Sequence, residues 1–233
     1  MNRIVILIQM LSLVLVASDF SAGSDPFSAG PNPKEAKVVA KIEELGGEIT
    51  VDENSPDKSV VGVDLPDTRV TDAGLEHVKG LTRLQSLNLR RTKVTDAGLE
   101  CLSGLRELQS LSLADTDVTG SGLERLTVLA KLQSLDLEDS RVTDSGLEHL
   151  KGLTNLQSLN LYNTKLTDAG LKHLQGLSAL RHLTLSRTKV SDGGLEHLEG
   201  LTELQVLDLR DTEVSDEGRE KLQKVLPNCQ VLR

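Results

Sequence analysis

Four of the five histidines, His77, His149, His173 and His197, stand whole multiples of 24 residues apart, and Cys101 and Arg125 fall on the same count. A row of imidazoles with a thiol is metal-ligand chemistry. The helical segments that would carry it pack about 8–10 Å apart, too far for easy sharing of one ion, so repetition of one motif accounts for the row more simply. Carboxylates are the other candidates. Asp115 and Asp139 lie one step apart, with Asp136 and Glu138 beside them; such hard oxygens can gather around Ca²⁺, although no dedicated loop spacing accompanies them. Asp136 and Glu138 as a glycosidase pair need burial to raise one pKa, which an open sheet does not offer. No Gly-rich phosphate loop, GxSxG elbow, HExxH or CxxC occurs. The expectation is a protein that is not an enzyme, with no cofactor and no metal.

The composition says what must position such residues. The 233 residues are 38% hydrophobic and 26% charged, enough for one globular unit and too apolar for disorder. One Tyr, two Phe and no Trp leave the interior to aliphatic residues, chiefly Leu. A formal charge of −9 opposes attraction to nucleic acid or an anionic bilayer.

Self-similarity supplies the architecture. VTDAGL at Val70 returns at Val94, Val118 (VTGSGL), Val142 (VTDSGL), Leu166 (LTDAGL), Val190 (VSDGGL) and Val214 (VSDEGR), always after 24 residues. Leu75, Val78, Leu81, Leu84, Leu87 and Leu89 recur with it, without insertions. Three-residue steps up to position 87 predict a short helix of about two turns, and the two-residue step from 87 to 89 predicts a strand. Thr71 and Asp72 would cap the helix, and Gly80 stands where a left-handed terminator is wanted. One such unit buries little; stacking units creates the core.

LTRLQSLNLRRTKV resembles the leucine-rich repeat pattern LxxLxLxxN, with Thr in place of Asn, and VTDAGLEHV is similar to the variable half of the ribonuclease-inhibitor-like and cysteine-containing classes. The resemblance runs from about Val61 to the C-terminus. It implies an α/β fold, a leucine-rich repeat solenoid curved so that a parallel β-sheet lines the concave face and short helices the convex one. In the family the Asn satisfies backbone groups of the adjoining turn. Here Thr68, Thr92, Thr116, Ser140, Thr164, Thr188 and Thr212 hold that position, and their hydroxyls are expected to form a similar ladder with less reach. The glycine row from Gly74 to Gly218 is expected to allow close approach of neighbouring turns.

Residues 33–69 read as an N-terminal cap. A helix starts near Pro33 with Val38, Ile42 and Leu45 as its stripe, ends at Gly46-Gly47, and precedes a hairpin of 48–52 and 59–65. The repeats and a C-terminal cap fill 70–233. Before them, Arg3 and the apolar run from Ile4 to Ala17 read as a signal peptide over 1–18, cut after Ser18, with an uncleaved anchor as the alternative. The Ser-, Gly- and Pro-rich stretch 19–32 is a flexible leader. The repeat geometry sets Cys101 and Cys229 about five strands apart, roughly 24 Å, which forbids a disulfide within one chain. The hairpin opening and LPNC ending resemble exported bacterial leucine-rich repeat proteins.

With Leu87 and Leu89 inward, positions 86, 88, 90 and 91 of each unit face the concave side. Read strand by strand they give basic, acidic, aromatic and basic bands. Arg90, Arg91, Asp136, Glu138, Asp139, Tyr162, Arg187 and Arg210 are the candidate partner-binding residues, because hot spots favour Tyr and Arg near a patch centre. The function expected is a non-enzymatic, monomeric module exported to the cell envelope or exterior. It would bind a protein or surface polymer, with no nucleic acid and no stable membrane insertion once the signal is removed. Two alternatives stand beside it: an intracellular adaptor, since the repeats resemble those of F-box substrate receptors although no F-box precedes them, and a structural envelope spacer.

Overall fold

In the computed structural model, residues 35–232 are described. The expected signal peptide, the leader and the first two residues of the expected cap lie outside them. Nine strands form one sheet in chain order, β1 (Glu48–Val51), β2 (Val60–Asp64), β3 (Ser86–Asn88), β4 (Ser110–Ser112), β5 (Ser134–Asp136), β6 (Ser158–Asn160), β7 (His182–Thr184), β8 (Val206–Asp208) and β9 (Gln230–Leu232). β1 runs antiparallel to β2; every later pair is parallel. Leu87, Leu111, Leu135, Leu159, Leu183 and Leu207 stand in line across it, all essentially buried. The absence of insertions in the sequence is what keeps this register, because a slip of one residue would turn each leucine to water.

The opposite wall differs from the expected two-turn α-helix. Most of its segments are 3₁₀, among them Gly98–Gly104, Gly120–Val128, Gly146–Leu150 and Asp192–Leu198, and only single α turns occur at Asp72–Leu75 and Asp168–Leu171. The reason is already in the spacing. Apolar residues at 75, 78, 81 and 84 repeat every three residues, the period of a 3₁₀ helix rather than the 3.6 of an α-helix.

The left-handed residue is also elsewhere. Gly80 does not have positive φ, and a Cβ built there would meet nothing within 4 Å. Positive φ of 51–57° falls instead just past each strand, at Asp67, Arg91, Asp115, Asp139, Asn163, Arg187 and Asp211. Asp and Asn tolerate that conformation; Arg91 and Arg187 adopt it without that preference.

The hydroxyl row behaves differently from the expected ladder between turns. Thr92 Oγ1 donates to the carbonyl of Leu89 at 2.7 Å, three residues back in its own turn, and Thr116, Thr164, Thr188 and Thr212 do the same to Leu113, Leu161, Leu185 and Leu209. Turns are instead tied by aspartates, whose role is more than capping their own helices. Asp72 Oδ1 accepts from the backbone N–H of Thr95 at 2.8 Å and Oδ2 from its hydroxyl at 2.7 Å. Asp96 makes the same pair with Thr119, Asp144 with Thr167, Asp168 with Ser191 and Asp192 with Ser215. The glycine row makes room for these carboxylates: a Cβ on Gly98 would lie 2.5 Å from Asp72 Oδ1.

The third turn, 118–141, breaks the series. Gly120 replaces the aspartate, and its backbone packs directly on Gly146, where a Cβ would meet Gly120 Cα at 2.3 Å. Ser140 is buried with no partner for its hydroxyl. Val128 replaces the glycine of the 3₁₀ turn and is 46% exposed.

The ends close the core. Helix Ala36–Glu44 buries Val39 and Ile42, while Val38 and Leu45 pack only partly, and Gly46 at φ +82° ends it. Arg83 of the first repeat reaches the β1–β2 turn, with Nη1 2.8 Å from Ser55 Oγ and 3.1 Å from Asp57 Oδ1. Helix Asp216–Val225 places Leu222 inside, Arg219 standing where earlier turns have leucine. Cys101 and Cys229 are buried free thiols.

Candidate binding face

The open face of the sheet is built from the residues that alternate with the buried leucines. Positions 86, 88 and 90 and their equivalents are mostly half-buried, and position 91 is exposed. At the start of the strands the row is Ser86, Ser110, Ser134 and Ser158, then the larger His182 and Val206; across β3 to β6 the bulky residues lie toward the ends of the strands.

A local rule fixes the direction of those bulky residues. Asn88 Oδ1 accepts from the backbone N–H of Arg90 at 3.0 Å, Asp136 from Glu138 at 3.2 Å, Asn160 from Tyr162 at 3.0 Å and Asp208 from Arg210 at 3.1 Å. An Asx side chain two residues ahead of the free N–H is a sequence-visible signal that terminates a strand and aims the next side chain. It was not read from the sequence. Asp136 therefore serves the backbone of Glu138 and also accepts from Ser112 Oγ at 3.2 Å.

The four charge bands are not independent. Arg90 reaches across two strands, over the buried Ala114, and its Nη2 lies 3.0 Å from Glu138 Oε1; Asn160 Nδ2 donates to the other oxygen at 3.2 Å. That contact holds the Arg90 guanidinium above its ordinary pKa. Burial, with Glu138 nearby, pushes Asp136 up. Arg91 pairs with Asp67 at 2.9 Å and with Asp115 at 3.4 Å, and Asp139 takes a hydrogen bond from Asn163. Asp115 and Asp139 thus face different partners instead of converging, and no group of three His, Cys, Asp or Glu among the described residues is arranged to hold a metal ion.

Toward β8 the face is aromatic and cationic. The Arg187 guanidinium lies over the Tyr162 ring, 5.5 Å from its centroid, and its Nε is 3.4 Å from Asp211. Arg210 grips Asp208 with two hydrogen bonds of 2.9 and 2.6 Å. Burial works against ionisation of Asp208, but those bonds win and hold its carboxyl below the usual range. Between Tyr162 and Arg210, Ser186 is buried and donates to Asp208. The candidate residues consequently fall into two groups, Arg90, Arg91, Asp136, Glu138 and Asp139 on one side, Tyr162, Arg187 and Arg210 on the other.

On the opposite wall the histidine row is half-buried and spread one residue per turn. His173 Nδ1 is buried without a partner, and burial, with Lys151 and Lys172, lowers its pKa. Burial and a hydrogen bond to Glu76 push the Cys101 thiol up to about 11, so it is not a nucleophile at neutral pH.

A family model for the leucine-rich repeat matches residues 130–190, and a second leucine-rich repeat model matches 81–103 and 201–222. No curated protein matches the chain. Among solved structures it is similar to an internalin (inlF) from Listeria monocytogenes, with 24% identity, a TM-score of 0.63 and coverage of 88% of this chain. It spans 59% of that protein's chain. An internalin C2 (inlC2) from the same organism is 24% identical with a TM-score of 0.61, over 83% of this chain and 80% of the other. At that identity the likeness is one of fold.

Proposed function

We propose that this leucine-rich repeat protein is an exported, non-enzymatic, monomeric module that recognises a protein partner on the concave face of its sheet. Arg90, Arg91, Asp136, Glu138, Asp139, Tyr162, Arg187 and Arg210 supply the contacts. The observation that carries the reading is Tyr162, the chain's one tyrosine, set on the open sheet face beneath Arg187. Tyrosine and arginine are the residues that dominate binding energy near the centre of an interface. Export is supported by the apolar run at 4–17; no helix among the described residues is long and apolar enough to cross a membrane. The family itself is a protein-interaction architecture.

The test is affinity capture from envelope extracts with the full chain and with a Tyr162→Ala, Arg187→Ala variant. Loss of one specific partner in the variant, with unchanged thermal unfolding, is the expected result. An unchanged set of captured proteins would favour the spacer instead.

A further inference from the structure

From His149 to Ser191 the chain carries six basic residues, Lys151, Lys165, Lys172, Arg181, Arg187 and Lys189, and a single acid, Asp168. That is a net +5 within a chain of −9, so the rest of the molecule carries −14. The one acid is occupied: Asp168 accepts from the backbone N–H of Ser191 at 2.7 Å and from its hydroxyl at 2.6 Å. Of the six cations, Lys151 pairs with Glu148 and Arg187 with Asp211. Lys165, Arg181 and Lys189 have no ion-pair partner among the described residues and are exposed.

The band has a direction because it follows β7. Arg181 precedes the strand in the row otherwise filled by Gln85, Gln109, Gln133, Gln157 and Gln205, and His182 stands in register with Ser158. Arg187 and Lys189 follow the strand, and Lys165 occupies the position of Lys189 one turn earlier. Between the two ends His182 is exposed at the start of the strand, Thr184 is half-buried and Ser186 is buried, so no large side chain stands between His182 and Arg187 on this strand's open side. Six residues of extended chain separate Arg181 from Arg187, about 20 Å.

We propose that β7 is the docking line for an extended acidic segment of a protein partner, whose carboxylates meet Arg181 at one end and Arg187 with Lys189 at the other. This rests on the sheet face being the recognition surface. A peptide fits better than a long polyanion, because a polyanion running past the band would meet the −14 of the rest of the chain. A partner with an acidic segment between neutral or basic flanks avoids that repulsion and meets Asp136, Glu138 and Asp139 favourably.

The probe is a fluorescent, Glu- and Asp-rich peptide of about eight residues, long enough for the line, titrated against the full chain by fluorescence polarisation. Saturable binding is expected, weakened about tenfold in Arg181→Glu, Lys189→Glu, and weakened again between about 50 and 300 mM NaCl. Lys93→Glu, a single reversal at the position equivalent to Lys189 but outside the band, should leave it unchanged. Arg181→Gln, which installs the residue of the equivalent positions, keeps the test open if the double reversal fails to fold, and should weaken binding several-fold. Three results would overturn the proposal: no saturable binding, an equal loss in Lys93→Glu, or tighter binding of a sulfated oligosaccharide or oligonucleotide of equal charge. If the peptide does not bind while Tyr162→Ala, Arg187→Ala still loses its captured partner, the docking line fails and the concave-face reading survives. If the peptide binds as expected but captured proteins are indifferent to that variant, the concave-face reading fails alone.

Discussion

The third turn, 118–141, and the fifth, 166–189, share the same leucine skeleton and differ in nearly everything polar. In the fifth, Asp168 ties forward to Ser191, Thr188 closes on the carbonyl of Leu185, and the surface is cationic. In the third, Gly120 lies bare against Gly146, the Ser140 hydroxyl is unpartnered, and Asp136, Glu138 and Asp139 make the surface acidic. Yet both turns keep their strand in register. The third turn keeps its backward tie, Asp96 to Thr119, and lacks only the forward one, so aliphatic burial holds the register where that tie is missing and the polar ties add stiffness.

The largest test of that statement is in the leucines. Leu135→Ala and Leu183→Ala each remove a side chain that is 1% exposed and should cost about 2–5 kcal/mol in denaturant unfolding. A much smaller cost in the third turn would mean that the ties of the fifth turn, not burial, hold its core. Next in size is the glycine contact. Gly146→Ala forces a Cβ against Gly120 backbone and should destabilise by about 1–3 kcal/mol, whereas Gly200→Ala, with nothing within 4 Å, should be close to neutral. Asp168→Ala gives the fifth turn the third turn's deficiency and leaves the Ser191 N–H without its acceptor, at about 1–2 kcal/mol. Ser140→Thr adds the methyl that restricts the hydroxyl to the rotamer used by Thr116 and Thr164 on the carbonyl three residues back, and should gain about 0.5–1 kcal/mol.

The smallest effect is electrostatic and depends on pH. Asp136 has a raised pKa, chiefly from burial, so its ionised form opposes folding at neutral pH. That penalty fades as pH falls through the raised value toward the ordinary carboxylate range near about 4. Asp136→Asn should therefore stabilise by a few tenths of a kcal/mol at neutral pH and make no difference in acid. Asp208 has the opposite sign. Its lowered pKa contributes stability that is complete above the ordinary carboxylate value and is lost as pH falls through the lower one. Thermal unfolding of Asp136→Asn and Asp208→Asn across that range separates the two.

The stack was legible because seven in-phase copies without insertions leave one register. The hairpin of β1 and β2 was legible from its alternation and its turn, and counting strands sufficed to keep Cys101 and Cys229 from pairing within the chain. Less visible features depended on distances that periodicity does not encode. The 3₁₀ wall is the exception, because a three-residue spacing fits 3₁₀ better than α. Gly80 was assigned the left-handed residue by its type, while the backbone turns over at position 91, where no glycine occurs. Nothing in the sequence of Asp72 says that its carboxylate serves the next turn instead of its own. The Arg90–Glu138 bridge needs a long side chain and a small neighbour, Ala114, between them, and only the assembled sheet puts the three in one line.

The hydroxyl that closes on its own turn has a consequence for how this chain can change length. Because Thr92 and its counterparts bond a carbonyl three residues back, each 24-residue cassette settles that account internally and hands its neighbour only a standard joint. Excising or copying a whole cassette strands no donor at the splice wherever the cassette before the joint carries the aspartate that Gly120 replaces, so such a protein can be lengthened or shortened by recombination at those joints.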